Sequence, residues 1–205
     1  MKKYIIIAFI ALVAFKSNAQ TDSIRYGIIN VSPEVGVFFP RNENFQNLYN
    51  AKSYFTYSVG LDFGTSRWTC RPWFRFTGMT VENNLRGTTT DSTQISAIKK
   101  EYCFGIMRPY RIRSNDYIQL KLGFTYNVIT ESTSKIDANV FGYVFSVGYL
   151  HRIDKFISYY IDLGNDYARV NSSSNLREWS GFRMDIGISI NIGVSSKQQH
   201  PVYSF

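Results

Sequence analysis

Between Phe182 and Val194 every second residue is apolar: Phe182, Met184, Ile186, Ile188, Ile190, Ile192 and Val194. The residues between them are Arg183, Asp185, Gly187, Ser189, Asn191 and Gly193. A period of two sustained this long belongs to a β-strand with two unlike faces, because successive side chains leave a strand on opposite sides. At about 3.3 Å per residue such a strand crosses a bilayer even when tilted. One face suits hydrocarbon, and the other offers charge, hydroxyl, amide and glycine. Residues 179–194 are therefore expected to form the closing strand of a membrane-spanning barrel.

Seven earlier stretches carry the same pattern: 28–39, 54–63, 67–80, 98–108, 117–128, 140–150 and 156–168. In 117–128, for example, Ile118, Leu120, Leu122, Phe124, Tyr126 and Val128 alternate with Gln119, Lys121, Gly123, Thr125 and Asn127. Pro72 lies inside the third stretch, and its missing N–H predicts a bulge or kink there. Polar segments 40–53, 82–97, 129–139 and 169–178 are expected as long loops. Gly64-Thr65-Ser66, 109–116 and 151–155 are expected as short turns. Long connections alternating with short ones are the pattern of outer-membrane barrels, which close without a free edge and carry an even strand number. The expected fold is all-β: an eight-stranded antiparallel up-and-down transmembrane β-barrel.

The N-terminus places Lys2 and Lys3 before an apolar run from Tyr4 to Phe15, then Ser17-Asn18-Ala19. That is the order of a secretory signal peptide cleaved after Ala19, so the expected division is 1–19 signal peptide and 20–205 barrel domain. The apolar run is shorter than the roughly 20 residues of a membrane-spanning helix. Without Lys2, Lys3 and Lys16 the formal charge falls from +8 to +5. This modest surplus, joined to an export signal, argues against a nucleic-acid partner. The 15 Tyr and 16 Phe suit the aromatic girdles of a membrane barrel. Cys70 and Cys103 fall on opposite faces of their strands, so neighbouring strands would aim them apart and both are expected as free thiols.

The polar faces hold Glu34, Asp62, Arg71, Arg75, Lys99, Glu101, Lys121, Asp162, Arg183 and Asp185. Acids and bases balance in that set, which is what a closed interior tolerates, because buried charges persist only when paired. These ten are expected to form a structural charge network inside the barrel. A last loop centred near residue 173 sets Asp162 and Asp185 opposite each other, an arrangement that calls for a proton or a cation between them. The soluble alternative is a periplasmic lipocalin-like barrel with its apolar face turned inward around a ligand. Paired charge and glycine on the polar face oppose it.

The signal peptide, the eight dyad-repeat strands, the long–short connections and the terminal Phe205 resemble small outer-membrane barrels of the OmpA/OmpX type, including the PorT-like barrels. That resemblance implies residence in the bacterial outer membrane and insertion by the barrel-assembly machinery, for which a C-terminal aromatic is part of the signal. Some small barrels are lipid A hydrolases or acyl transferases. His151, in an expected periplasmic turn, and His200, in the tail, offer no serine partner in the arrangement such deacylases use. No Ser-His-Asp arrangement, Cys/His metal spacing or phosphate-cradling glycine loop appears. The expectation is a monomeric, non-enzymatic structural or interaction protein without a cofactor, in contact with outer-membrane lipid. Adhesion, receptor or secretion-associated contacts would fall to the extracellular loops, or to a basic periplasmic turn holding Arg108, Arg111 and Arg113. A lipid-modifying barrel enzyme is the alternative. Asp22-Ser23-Ile24 and Asp91-Ser92-Thr93 resemble an O-glycan acceptor motif of exported bacterial proteins.

Overall fold

The computed structural model describes residues 26–43, 45–46, 52–65, 69–83, 95–131, 136–154, 156–168, 178–192 and 194–195. The signal segment, Trp68, His200, Phe205, both acceptor-like tripeptides and all of 84–94 and 169–177 lie outside them.

The strands are β1 (Tyr26–Pro40), β2 (Tyr54–Thr65), β3 (Arg71–Asn83), β4 (Ile95–Arg111), β5 (Asp116–Glu131), β6 (Ile136–Arg152), β7 (Ile157–Ala168), β8 (Gly181–Asn191) and the two-residue β9 (Val194–Ser195). Each pairs antiparallel with the next, and β1 pairs with both β2 and β8, so the sheet closes on itself. β9 continues the β8 register along β1, from Asn30↔Asn191 to Gly27↔Val194. The barrel thus has eight staves, the last being the alternating stretch that ends the sequence pattern.

Exposure decides which face points out. Along β8 the apolar series Phe182, Met184, Ile186, Ile188 and Ile190 is 43–52% exposed, while Arg183, Asp185 and Ser189 are at most 4% exposed. The same division runs around the wall, with Val35, Val59, Phe104, Phe124, Phe145 and Leu163 outside and Glu34, Ser58, Glu101, Thr125, Ser146 and Asp162 inside. A soluble barrel is built the other way round, so the inward-apolar lipocalin alternative does not describe this chain. A continuous apolar exterior over a closed ladder is the form in which β-structure crosses hydrocarbon, since every backbone polar group is satisfied within the wall.

Several boundaries differ from the sequence expectation. The segment 129–139 is mostly strand: β5 and β6 pair up to Glu131↔Ile136, with Ile129 and Val140 turned inward and buried. It reads as loop because Thr130 and Asn139 break the apolar series of the outer face, while the inward positions Ile129 and Val140 are apolar. β3 and β4 likewise extend to Asn83↔Ile95. No bulge forms at Pro72, because the β3–β4 register runs unbroken through Pro72↔Ile106. The β2–β3 ladder ends at Asp62↔Trp73, so the missing N–H falls just past that ladder. Cys70 and Cys103 are free thiols.

Candidate functional site: a lumen filled with charge

Inward glycines make the interior possible. At Gly187 on β8 an added Cβ would lie 2.8 Å from the Tyr160 hydroxyl, so the missing side chain lets the β7 tyrosine reach across β8 toward Glu34 on β1. Gly36 on β1 does the same for Asp185, whose Oδ1 accepts a hydrogen bond from Thr56 Oγ1 at 3.4 Å on β2. Large polar groups from one stave thus reach the next but one.

The upper layer, nearer the long connections, is a compact ion cluster. Glu101 is its centre: Arg75 Nη2 donates to Oε1 at 2.9 Å, Lys99 Nζ lies 3.0 Å from Oε2, and Arg183 Nη1 is 3.5 Å from Oε1. Arg183 also binds Asp166 Oδ2 at 3.1 Å and pairs through Nε with Asp185. Arg75, Glu101, Asp166, Arg183 and Asp185 are each at most 3% exposed.

The lower layer is looser. Lys121 Nζ donates to Asp162 Oδ2 at 2.8 Å and stands between the rings of Trp73 (5.7 Å) and Tyr160 (5.2 Å). Ser146 Oγ adds a hydrogen bond to the same Asp162 oxygen at 3.2 Å. Asp62 accepts from Asn30 Nδ2 at 2.9 Å and lies 3.8 Å from Arg71. Glu34 is buried with no ion pair among the described residues.

All ten expected interior charges point into the lumen, and Asp166 joins them. Its parity with Asp162 on β7 was a sufficient signal, but it lay one step beyond the residues weighed. Asp166 makes six carboxylates on these faces, and Arg152, the cross-strand partner of the buried Ser158 on β7, adds a sixth base. Asp162 and Asp185 are direct cross-strand partners, as the loop-centre argument required. Each carboxylate has a base beside it, Lys121 at Asp162 and Arg183 at Asp185.

Above the charges sits an apolar cap that the sequence reading missed. Phe38, Phe45, Tyr54, Met79, Val81, Ala97, Ile129, Val140, Ala168 and Trp179 form one buried cluster. Phe45 belongs to the expected polar loop 40–53, yet it folds into the lumen mouth, its ring centroid 4.7 Å from Trp179 and 5.7 Å from Tyr54. Lys99 Nζ, 5.2 Å from the Phe38 ring centroid, joins cap and charges.

The basic group at the opposite end divides. Arg111 and Arg113 are exposed at the β4–β5 turn, where Arg111 Nε donates to the Arg113 carbonyl at 3.2 Å. Arg108 is instead buried on β4 and stacks over Tyr110 at 4.8 Å. His151 lies in β6, one residue before its end, rather than in a turn; its Nδ1 lies 2.7 Å from Asp116 Oδ1, and the Tyr149 hydroxyl donates to the same oxygen at 2.7 Å. Among the described residues no group of His, Cys, Asp and Glu assembles that would hold a metal ion.

No family model matches the sequence, and no curated protein matches it. Solved structures do resemble it. The outer membrane protein OprG of Pseudomonas aeruginosa superposes with a TM-score of 0.51 at 7% identity, over 84% of this chain and 97% of OprG. Ail, the attachment invasion locus protein of Yersinia pestis, solved with the heparin analogue sucrose octasulfate, gives 0.50 at 10% identity, over 82% of this chain and 99% of Ail. At such identities the likeness is one of architecture, and the chain accordingly has the fold of the small eight-stranded β-barrels of bacterial outer membranes.

Proposed function

We propose that the protein is a closed outer-membrane barrel that works as a structural or interaction platform. Its contacts would be made by the long connections, or by the Arg111–Arg113 turn. The observation that carries this reading is the filled lumen: an apolar cap lies over a ring of ion pairs, and Arg75, Glu101, Asp166 and Arg183 from four staves meet inside it. A barrel of eight staves leaves an interior only wide enough for side chains, and here they fill it. The ten charges named from the sequence, with Asp166, act in this reading as a structural plug. Residues 1–19 would serve export and 20–205 the barrel, with a mature N-terminus at Gln20.

The enzyme alternative has one supporting contact, the His151–Asp116 pair on the outer face. Among the described residues no serine or cysteine is hydrogen-bonded to His151, and a nucleophile beside the base is what this reading needs. The platform reading is tested in planar bilayers with the purified barrel, where no steady conductance at neutral pH is expected. Cross-linking of the intact protein in outer membranes then identifies a partner. Steady open channels would refute the plug, and altered lipid A on deletion would favour the enzyme.

A further inference from the structure

At the end of the lumen with the short turns, two guanidiniums stand around one ring. Parity turns Arg71, Tyr117 and Arg152 inward there, on the faces of the buried Trp73 and Arg75 of β3, Gln119 and Lys121 of β5, and Val144 and Ser146 of β6. The Arg152 guanidinium lies 5.5 Å over the Tyr117 ring. Arg71 is near both, close enough to Arg152 for the two charges to repel.

The acids at this end are engaged elsewhere. Asp62 Oδ1 stands 3.8 Å from Arg71, beyond hydrogen-bond reach, and already accepts from Asn30 Nδ2 at 2.9 Å. Asp116 takes His151 and Tyr149, and Asp154 accepts from the backbone of Phe156 and Ile157. Glu34 and Asp162 stand beside Lys121. Arg152 makes no ion pair among the described residues. Two neighbouring guanidiniums are relieved by an anion between them, and their planar forks match the paired oxygens of a carboxylate.

Geometry selects the kind of anion. Arg71, Tyr117 and Arg152 are half-buried on the lumen side, so lipids on the outer wall lie across the sheet from them. Behind them the lumen narrows at Trp73, Lys121 and Tyr160 to a cavity of about 20 Å³, room for roughly one water. Only the tip of a side chain can reach in, while the rest of the ligand stays at the rim. There Arg111, in register with Tyr117, and Arg113 extend the positive charge.

We infer that this mouth docks an acidic peptide segment, one side-chain carboxylate of which is gripped between Arg71 and Arg152 beside Tyr117. The inference rests on the platform reading, in which the short-turn end faces the periplasm, and it names the chemistry of the partner there.

The test adds fluorescein-labelled hexaglutamate to the full barrel in phosphatidylcholine nanodiscs at neutral pH and low ionic strength. Fluorescence anisotropy reports binding, and the Arg152 Nε–H resonance reports its place. Wild type should bind saturably, more weakly as salt is added, with the Arg152 resonance shifted. Arg152→Gln breaks no ion pair, so it should fold normally and bind several-fold more weakly. Arg71→Lys keeps the charge beside Asp62 but loses the fork, and should also weaken binding several-fold. Lys100→Gln removes one exposed charge from the outer face of β4 and should leave the affinity unchanged. No saturable binding by a non-conducting wild type would overturn this inference alone, whereas steady conductance would refute the platform reading. Equal weakening in Lys100→Gln would reduce the effect to net charge and overturn it. So would displacement of the peptide by inorganic phosphate at matched charge, the mark of a site for any small anion. An Arg152 shift in phosphatidylglycerol nanodiscs without peptide would assign the mouth to a lipid headgroup instead.

Discussion

Asp162 and Asp185 face each other directly across β7 and β8, yet their carboxylates turn apart, Asp162 to Lys121 on β5 and Asp185 to Arg183 on its own strand. These bases offset the like-charge contact that the register imposes. Each base is then indispensable to its acid. Lys121→Met leaves Asp162 as an uncompensated buried charge and should destabilise the barrel by about 3–5 kcal/mol. Adding Asp162→Asn to that variant should recover most of the loss, since removing both charges also removes the desolvation cost. Urea unfolding of the refolded protein in lipid vesicles measures both, and equal losses in the single and double variants would contradict this pairing.

Faces were legible in the sequence because they depend only on parity, which local alternation displays directly. That is why ten interior charges and the outward Ile, Val and Phe series could be named without coordinates, and why Asp162 and Asp185 could be paired from the centre of one loop. Partners further apart were not legible. Lys121 meets Asp162 across β6, and Glu101 meets Arg183 across the lumen, distances set by barrel closure and stagger and by no local pattern. Strand ends were misjudged at 129–139 because the faces exchange character near the long connections: Thr130 and Asn139 are exposed outside, while Ile129 and Val140 are buried inside. Phe45 stands between Asn44 and Gln46 with no alternation around it, too little to announce a cap.

That cap makes its own prediction. Phe45 is fully buried against Trp179 and Tyr54. Phe45→Ala should cost about 3–5 kcal/mol of stability, the range for truncating a buried aromatic. It should not open a conducting pore, because the Arg75–Glu101–Arg183 cluster beneath is untouched. Unfolding midpoints and bilayer recordings on the same preparation separate the two roles, and a conducting Phe45→Ala barrel would show that the cap is the only seal.

At the turn end of β5, the hydrogen bonds from His151 and then Tyr149 hold the Asp116 carboxyl below the usual aspartate range. A carboxyl depressed in the folded state adds stability above its unfolded value and loses it as pH falls through the folded one. Asp116 should therefore stay ionised at pH values where an ordinary aspartate takes its proton. His151→Ala removes the larger cause and should move the titration upward. Carbon-13 carboxyl shifts across an acid titration give the answer, and an unchanged Asp116 midpoint in the variant would refute the assignment.

The outward direction of the apolar face can be tested at a single side chain. Ile186 is 50% exposed at mid-strand, with its cross-strand partners Ile161 and Val35 on the same outer surface. If hydrocarbon covers it, Ile186→Arg should destabilise the barrel by about 2–4 kcal/mol in a bilayer. Ile192, 54% exposed just past the end of β8, should tolerate the same change at about 0–1 kcal/mol, because the cost falls toward the interface. A water-facing wall would treat both as ordinary surface changes within about 0.5 kcal/mol. Reversible unfolding of the two variants in phosphatidylcholine vesicles compares them directly. A depth-dependent difference places the apolar belt in lipid, whereas equal and small effects would mean that water, and not a membrane, surrounds these eight staves.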